Sequence, residues 1–99
     1  MFTHRFEQEI LLIQRDIQDC ERQIAFHQDE MQRAHRHGET EIERFHRQEQ
    51  LRWERKLREC TRDLIQAEQR LELAKQEEAA FLARDSDARQ AGRSRNTWS

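Results

Sequence analysis

Five histidines (His4, His27, His35, His37 and His46) and two cysteines (Cys20 and Cys60) are the residues of this sequence best suited to chemistry near neutral pH. Histidine gains or loses its charge between about pH 5 and 8. Four of the five fall between positions 27 and 46, so one reading is a pH-sensitive contact in that stretch. A metal site is a poorer reading. His35 and His37 fall on different faces of a helix, and the series His27, Met31, His35 brings no carboxylate or thiolate. Cys20 and Cys60 read first as small buried hydrophobes, with a disulfide between them as the alternative. Carboxylates abound, but pairs such as Glu54–Arg58 have the i,i+4 spacing of ion pairs on a helix surface. There is no glycine-rich phosphate loop, nucleophile elbow or HExxH motif. The expectation is a protein that is not an enzyme, with no catalytic residue, no cofactor, no metal and no small-molecule substrate.

Composition says what kind of element carries these residues. Charged residues make up 38% of the 99 positions and apolar residues 34%. Globular domains have about 25% charged and 45–50% apolar, so this chain has too few apolar residues to line a compact core. It has no proline and two glycines. Glu, Gln, Arg, Leu, Ala and Lys dominate, and their unbranched side chains lose little freedom in a helix.

The net charge is −2, with both signs interspersed over most of the length. Residues 84–99 alone are basic, with four arginines against two aspartates. Nucleic-acid binding needs a broader basic face, so nucleic acid is not an expected partner. The longest apolar run, Ile10 to Ile13, is far short of a membrane span. Glu7 and Glu9 set the N-terminal stretch apart from an acid-poor, Arg-rich transit peptide. An intracellular location is expected, either mitochondrial or cytoplasmic and cytoskeletal.

Periodicity is the strongest signal. Phe6, Ile10, Ile13, Ile17, Cys20, Ile24, His27, Met31 and Ala34 follow one another at spacings of four and three without a slip. Trp53, Leu57, Cys60, Leu64, Ala67, Leu71 and Ala74 repeat the pattern; Glu78 interrupts it and Phe81 resumes it. A repeat of 3.5 residues lays one stripe along a helix and winds paired helices left-handedly. Between the two stripes lies a break. Basic residues end the first stripe and Gly38 follows, as at a helix C-terminus. Thr40 and Glu43 then match a capping box.

The predicted fold is all-α: a long antiparallel helical hairpin, or coiled coil, with a short extended C-terminal tail. Residues 1–83 form the hairpin, with a helix over about 3–37, a turn at 38–39 and a helix over about 40–83. Residues 84–99 form an extended or disordered basic tail. A pairing whose facing residue numbers sum to 77 sets Ile24 against Trp53, Cys20 against Leu57, Ile17 against Cys60, Ile13 against Leu64 and Phe6 against Leu71. In that register the two cysteines occupy adjacent layers, a stagger that argues against a bridge.

Leu11, Leu12, Phe26, Ile42, Phe45, Leu51, Ile65, Leu73 and Leu82 lie off the stripe. A two-stranded coil leaves them in water, which suggests faces buried against neighbours. Leu11, Leu12, Phe26, Phe45, Phe81 and Trp98 are the candidate docking residues, Trp98 because a lone tryptophan in a polar tail can anchor an interface. The function expected is that of a structural or accessory subunit whose partners are other protein subunits of a large assembly, a mitochondrial energy-converting complex or a cytoskeletal (axonemal) structure. The alternative is a free regulatory coiled coil that binds and inhibits an enzyme in a pH-dependent way.

Overall fold

The computed structural model describes the backbone of residues 3–98 and the side chains of residues 3–89. The chain is an all-α helical hairpin. Helix α1 runs His4–Arg36 and helix α2 runs Thr40–Trp98. The particle is 92 Å long and only 14 by 13 Å across, two helices thick at most.

The reversal is a Schellman turn. Helix α1 ends with Arg33, His35 and Arg36 in its last turn, where positive charge meets the negative end of the helix dipole. Gly38 then takes φ 70, left-handed backbone that a side chain opposes. That conformation lets the Glu39 amide donate to the Ala34 carbonyl at 2.9 Å and the Gly38 amide to His35 at 3.2 Å, the pair of bonds that defines the motif. Nothing lies within 4 Å of where a Cβ on Gly38 would sit. The backbone angle, not space, demands glycine here.

The expected capping box is not formed. Thr40 is already the first residue of α2, and the Glu43 amide donates to the Glu39 carbonyl at 2.9 Å. The Glu43 carboxylate turns away from Thr40 to meet His35 of α1 at 3.1 Å and Arg47 at 3.6 Å. A cross-helix partner and a cation one turn along have displaced the local cap.

The second difference is the end of α2. The sequence reading stops it near residue 83 and leaves an extended tail, whereas the backbone stays helical through Trp98. The apolar stripe stops there, but helix propensity does not. Ala83, Arg84, Ala88, Arg89, Gln90 and Ala91 are strong helix formers. Arg89 and Asp85 form an i,i+4 ion pair at 3.1 Å. Gly92 in a helix interior costs only about 1 kcal/mol.

One seam holds the hairpin. On α1, Phe6, Ile10, Ile13, Ile17, Cys20, Ile24, His27, Met31 and Ala34 are all buried or half-buried. On α2 the same holds for Trp53, Leu57, Cys60, Leu64, Ala67, Leu71 and Ala74. The α2 seam also extends back through Gln50, His46 and Glu43, keeping the three–four spacing. The buried positions are small, Cys20, Ala34, Ala67 and Ala74, together with His27. Every larger aliphatic or aromatic seam residue is only half-buried. Two exposed ties mark the ends of the paired region, His35–Glu43 beside the turn and Arg70–Glu9 at 3.3 Å near the start of α1. Each is worth roughly 0–1 kcal/mol, so they set register more than stability. Among the residues whose side chains are described, Ala74 is the last buried one, and α2 continues beyond α1 as a single helix.

Gly38→Ala should destabilise the hairpin by about 1–2 kcal/mol through the left-handed backbone alone, and Gly38→Asn by less. Urea unfolding followed by circular dichroism checks this; equal midpoints for wild type and Gly38→Ala would contradict the strained-turn account.

Candidate functional site

The turn-proximal third of the seam is its chemically distinctive part. His27 of α1 and His46 of α2 meet across it with their Nδ1 atoms 2.9 Å apart. The heptad places both, since His27 continues the α1 stripe and His46 lies seven residues before Trp53 on the α2 stripe. At that separation one Nδ1–H donates to the bare Nδ1 of the other ring. The contact therefore requires two different tautomers and cannot hold a proton on both nitrogens. Aromatic neighbours surround the pair. Phe26 packs edge-on against His27 at 5.1 Å and against His46 at 6.2 Å, and Phe45 packs edge-on against His46 at 5.1 Å. Phe26 and Phe45 are themselves more than half exposed, so they form an aromatic surface directly outside the histidine layer.

Gln50, one turn from His46, is a seam residue that hydropathy did not reveal. Its Nε2 donates to Glu54 at 3.0 Å, while its Oε1 is buried without a hydrogen-bond partner among the described residues. Polar seam positions escape a search for apolar stripes. The available signal was spacing alone: Glu43, His46 and Gln50 extend the three–four series backwards from Trp53.

One heptad from His27, Cys20 and Cys60 are both free thiols. Cys20 is fully enclosed and Cys60 half-buried. Burial pushes the Cys20 thiol above its ordinary value of 9.0, Cys60 adds to the rise, and Lys56 opposes it. Lys56 also stacks over the Trp53 ring at 5.0 Å.

The off-stripe residues stand where the sequence put them. Leu11, Leu12, Phe26, Ile42, Phe45, Leu51, Ile65, Leu73 and Leu82 are between 46% and 59% exposed, and Phe81, read as resuming the stripe, is 58% exposed as well. The Trp98 side chain lies outside the described residues. Among the described residues no three metal-ligating side chains converge, and no helix is long and apolar enough to cross a membrane. The grooves along the rod are open, including the one beside the turn formed by Met31, Gln32, His35, Arg36 and Glu43. No protein-family model, curated protein or solved structure matches this chain.

Replacing His46 alone by leucine strands a buried His27 nitrogen and should cost about 1–3 kcal/mol. The double replacement His27→Leu, His46→Leu removes both polar partners and should come out close to wild type. A double-mutant cycle by urea denaturation reads the coupling; additive single effects would dismiss the pair as an energetic unit.

The raised Cys20 value also predicts an alkaline dependence. The fold favours the neutral thiol, so this contribution is complete below about pH 9 and is lost as pH rises through the higher folded value. Wild-type unfolding midpoints should therefore fall more steeply between pH 8 and 10 than those of Cys20→Ala. Parallel slopes would remove Cys20 as the cause.

Proposed function

We propose that this chain is a non-catalytic accessory subunit that packs its hairpin against other proteins in a multi-protein assembly. The observation that carries the reading is a mismatch in burial. Among the described residues no large aliphatic side chain and no phenylalanine or tryptophan is fully enclosed, while ten large hydrophobic side chains are close to half exposed or more. Scattered exposed apolar residues are ordinary on a globular surface. On a rod two helices thick, they leave both the seam and the outer faces short of the coverage that a stable fold needs. Neighbouring helices would supply the missing walls and would complete the burial of the half-covered seam residues.

Phe26, Phe45 and Ile42 form the best candidate contact, beside the turn and outside the histidine layer. Aromatic side chains bring a large apolar area with few torsions to fix and dominate interface hot spots. The single-helix part of α2 offers a second contact, because an isolated helix in water is only marginally stable. Suitable hosts are a mitochondrial energy-converting complex or a cytoskeletal array.

The histidine contact supports a second reading, a free regulatory coiled coil that inhibits an enzyme and responds to pH. Here the layer joining α1 to α2 would itself be the sensor.

Native size separates the two. The endogenous protein, run on a native gradient and identified by its peptides, should travel with a particle many times its 12.2 kDa. Phe26→Ser with Phe45→Ser should leave the helicity of the isolated chain unchanged and reduce its incorporation into that particle at least tenfold. Migration as a small free oligomer would sink the subunit reading and favour the regulatory one.

A further inference from the structure

His27 and His46 share four ring nitrogens, and the number of protons those nitrogens can carry limits what the layer can do. The two Nδ1 atoms face each other at 2.9 Å across the seam. The ring centroids are 5.1 Å apart and the planes are tilted by 41°, so the rings meet edge to edge rather than stacked. In the neutral pair one ring carries its hydrogen on Nδ1 and donates it, while the other carries its hydrogen on Nε2 and accepts. Among the described residues neither Nε2 bonds to the protein, and the one fully buried side-chain atom without a partner is Gln50 Oε1. Both Nε2 atoms therefore reach water.

We propose that the pair is a two-step proton latch on the hairpin: a first proton tightens it and a second releases it. The first proton enters from water at the bare Nε2 of the donor ring. That ring becomes an imidazolium, and its Nδ1–H makes a charge-assisted bond to the same neutral acceptor. The contact is kept and strengthened. The second proton finds a single bare nitrogen, the acceptor's Nδ1, whose lone pair already holds the contact. It can bind there only when the N–H···N bond breaks, which leaves two imidazolium rings with N–H groups aimed at each other. His27 is only 7% exposed. A second charge beside it cannot be solvated unless the layer opens.

The charged groups around the layer fit this sequence of events. On α1, the half-buried Glu30 lies one turn from His27 and holds Arg33 at 3.8 Å. On α2, Glu43 and Glu49 lie one turn either side of His46. Glu43 meets His35 of α1 at 3.1 Å and Arg47 at 3.6 Å, and Glu49 meets Arg52 at 3.7 Å. Glu54, further along the seam, accepts from Gln50 at 3.0 Å. These carboxylates favour one added positive charge, but each is already engaged, so none is free to hold a second. Phe26 and Phe45 pack edge-on against the rings and move with them, so opening also breaks up the aromatic face beside the turn. The latch deepens the pH-responsive reading of this layer and rests on it only for what the opening regulates; the protons are counted on the hairpin alone.

The test uses the full isolated chain, unfolded by urea at a series of pH values from about 8 down to 4.5, beside the double variant His27→Leu, His46→Leu. His4, His35, His37 and the carboxylates titrate in both proteins and cancel in the difference. Stability rises with falling pH where the folded state binds more protons than the unfolded one, and falls where it binds fewer. The stability of wild type relative to the variant should therefore climb as pH falls from 8, peak near about pH 6 and drop below its starting value by about pH 5. Each limb should change the unfolding constant by up to about tenfold per pH unit, the limit for one proton. Nitrogen-15 spectra of the wild-type histidines give a readout that does not depend on the variant folding. They should show one Nδ1–H and one Nε2–H tautomer at pH 8, one imidazolium beside one neutral ring at the peak, and two imidazolium rings only as the hairpin opens. Neither measurement involves an enzyme, so a failed latch is distinguishable from a failed regulatory reading. The proposal is overturned by a difference that falls steadily from pH 8, by one that does not change with pH, or by two rings that charge together.

Discussion

A seam between two helices has no third wall, and the rest of this structure follows from that. Small side chains such as Cys20, Ala67 and Ala74 disappear between the helices, while the seam isoleucines and leucines and Trp53 keep part of their surface in water. Packing energy scales with area removed from water, about 25 cal/mol per Å², so each of these large residues contributes only part of its potential. Charged residues at 38% of the sequence keep the rest of the rod solvated. Most of the ion pairs formed among them lie within one helix, at i,i+3 or i,i+4 spacing. They support each helix singly and add little to the attachment of one helix to the other.

With so thin an attachment, a few unusual positions matter more than they would in a compact domain. Gly38 fixes where the chain reverses, and so fixes which residues face one another. The histidine pair and the cysteine pair then place polar and reactive atoms inside a seam that is apolar over most of its length. A polar layer in a coiled coil can specify register at some cost in stability. The His27–His46 contact has the geometry for that role, since slipping one helix by a turn would separate the rings.

How much the sequence disclosed depended on the physical origin of each feature. The two stripes were legible because a 3.5-residue repeat of Ile, Leu and Phe has no common alternative explanation. The reversal was legible because Gly38 follows a basic helix end. The capping box was misread, since the sequence shows Thr40 and Glu43 at the right spacing but not His35 competing for the same carboxylate. His46 was legible as the stripe carried one heptad back from Trp53, but Glu43 and Gln50 on the same seam were hidden by their polarity. The last stretch of α2 was missed because apolar periodicity was the guide, and a helix held by propensity has none.

The unequal lengths of α1 and α2 have a mechanical meaning. Two helices fastened side by side resist bending far better than one, so stiffness drops sharply just beyond Ala74, where α1 runs out. The remaining single helix, roughly 36 Å at 1.5 Å per residue, is the compliant part of an otherwise stiff strut. A load on its far end would be absorbed by curvature at the step in thickness rather than by opening the seam. The molecule is in this respect a rod with a built-in flexure.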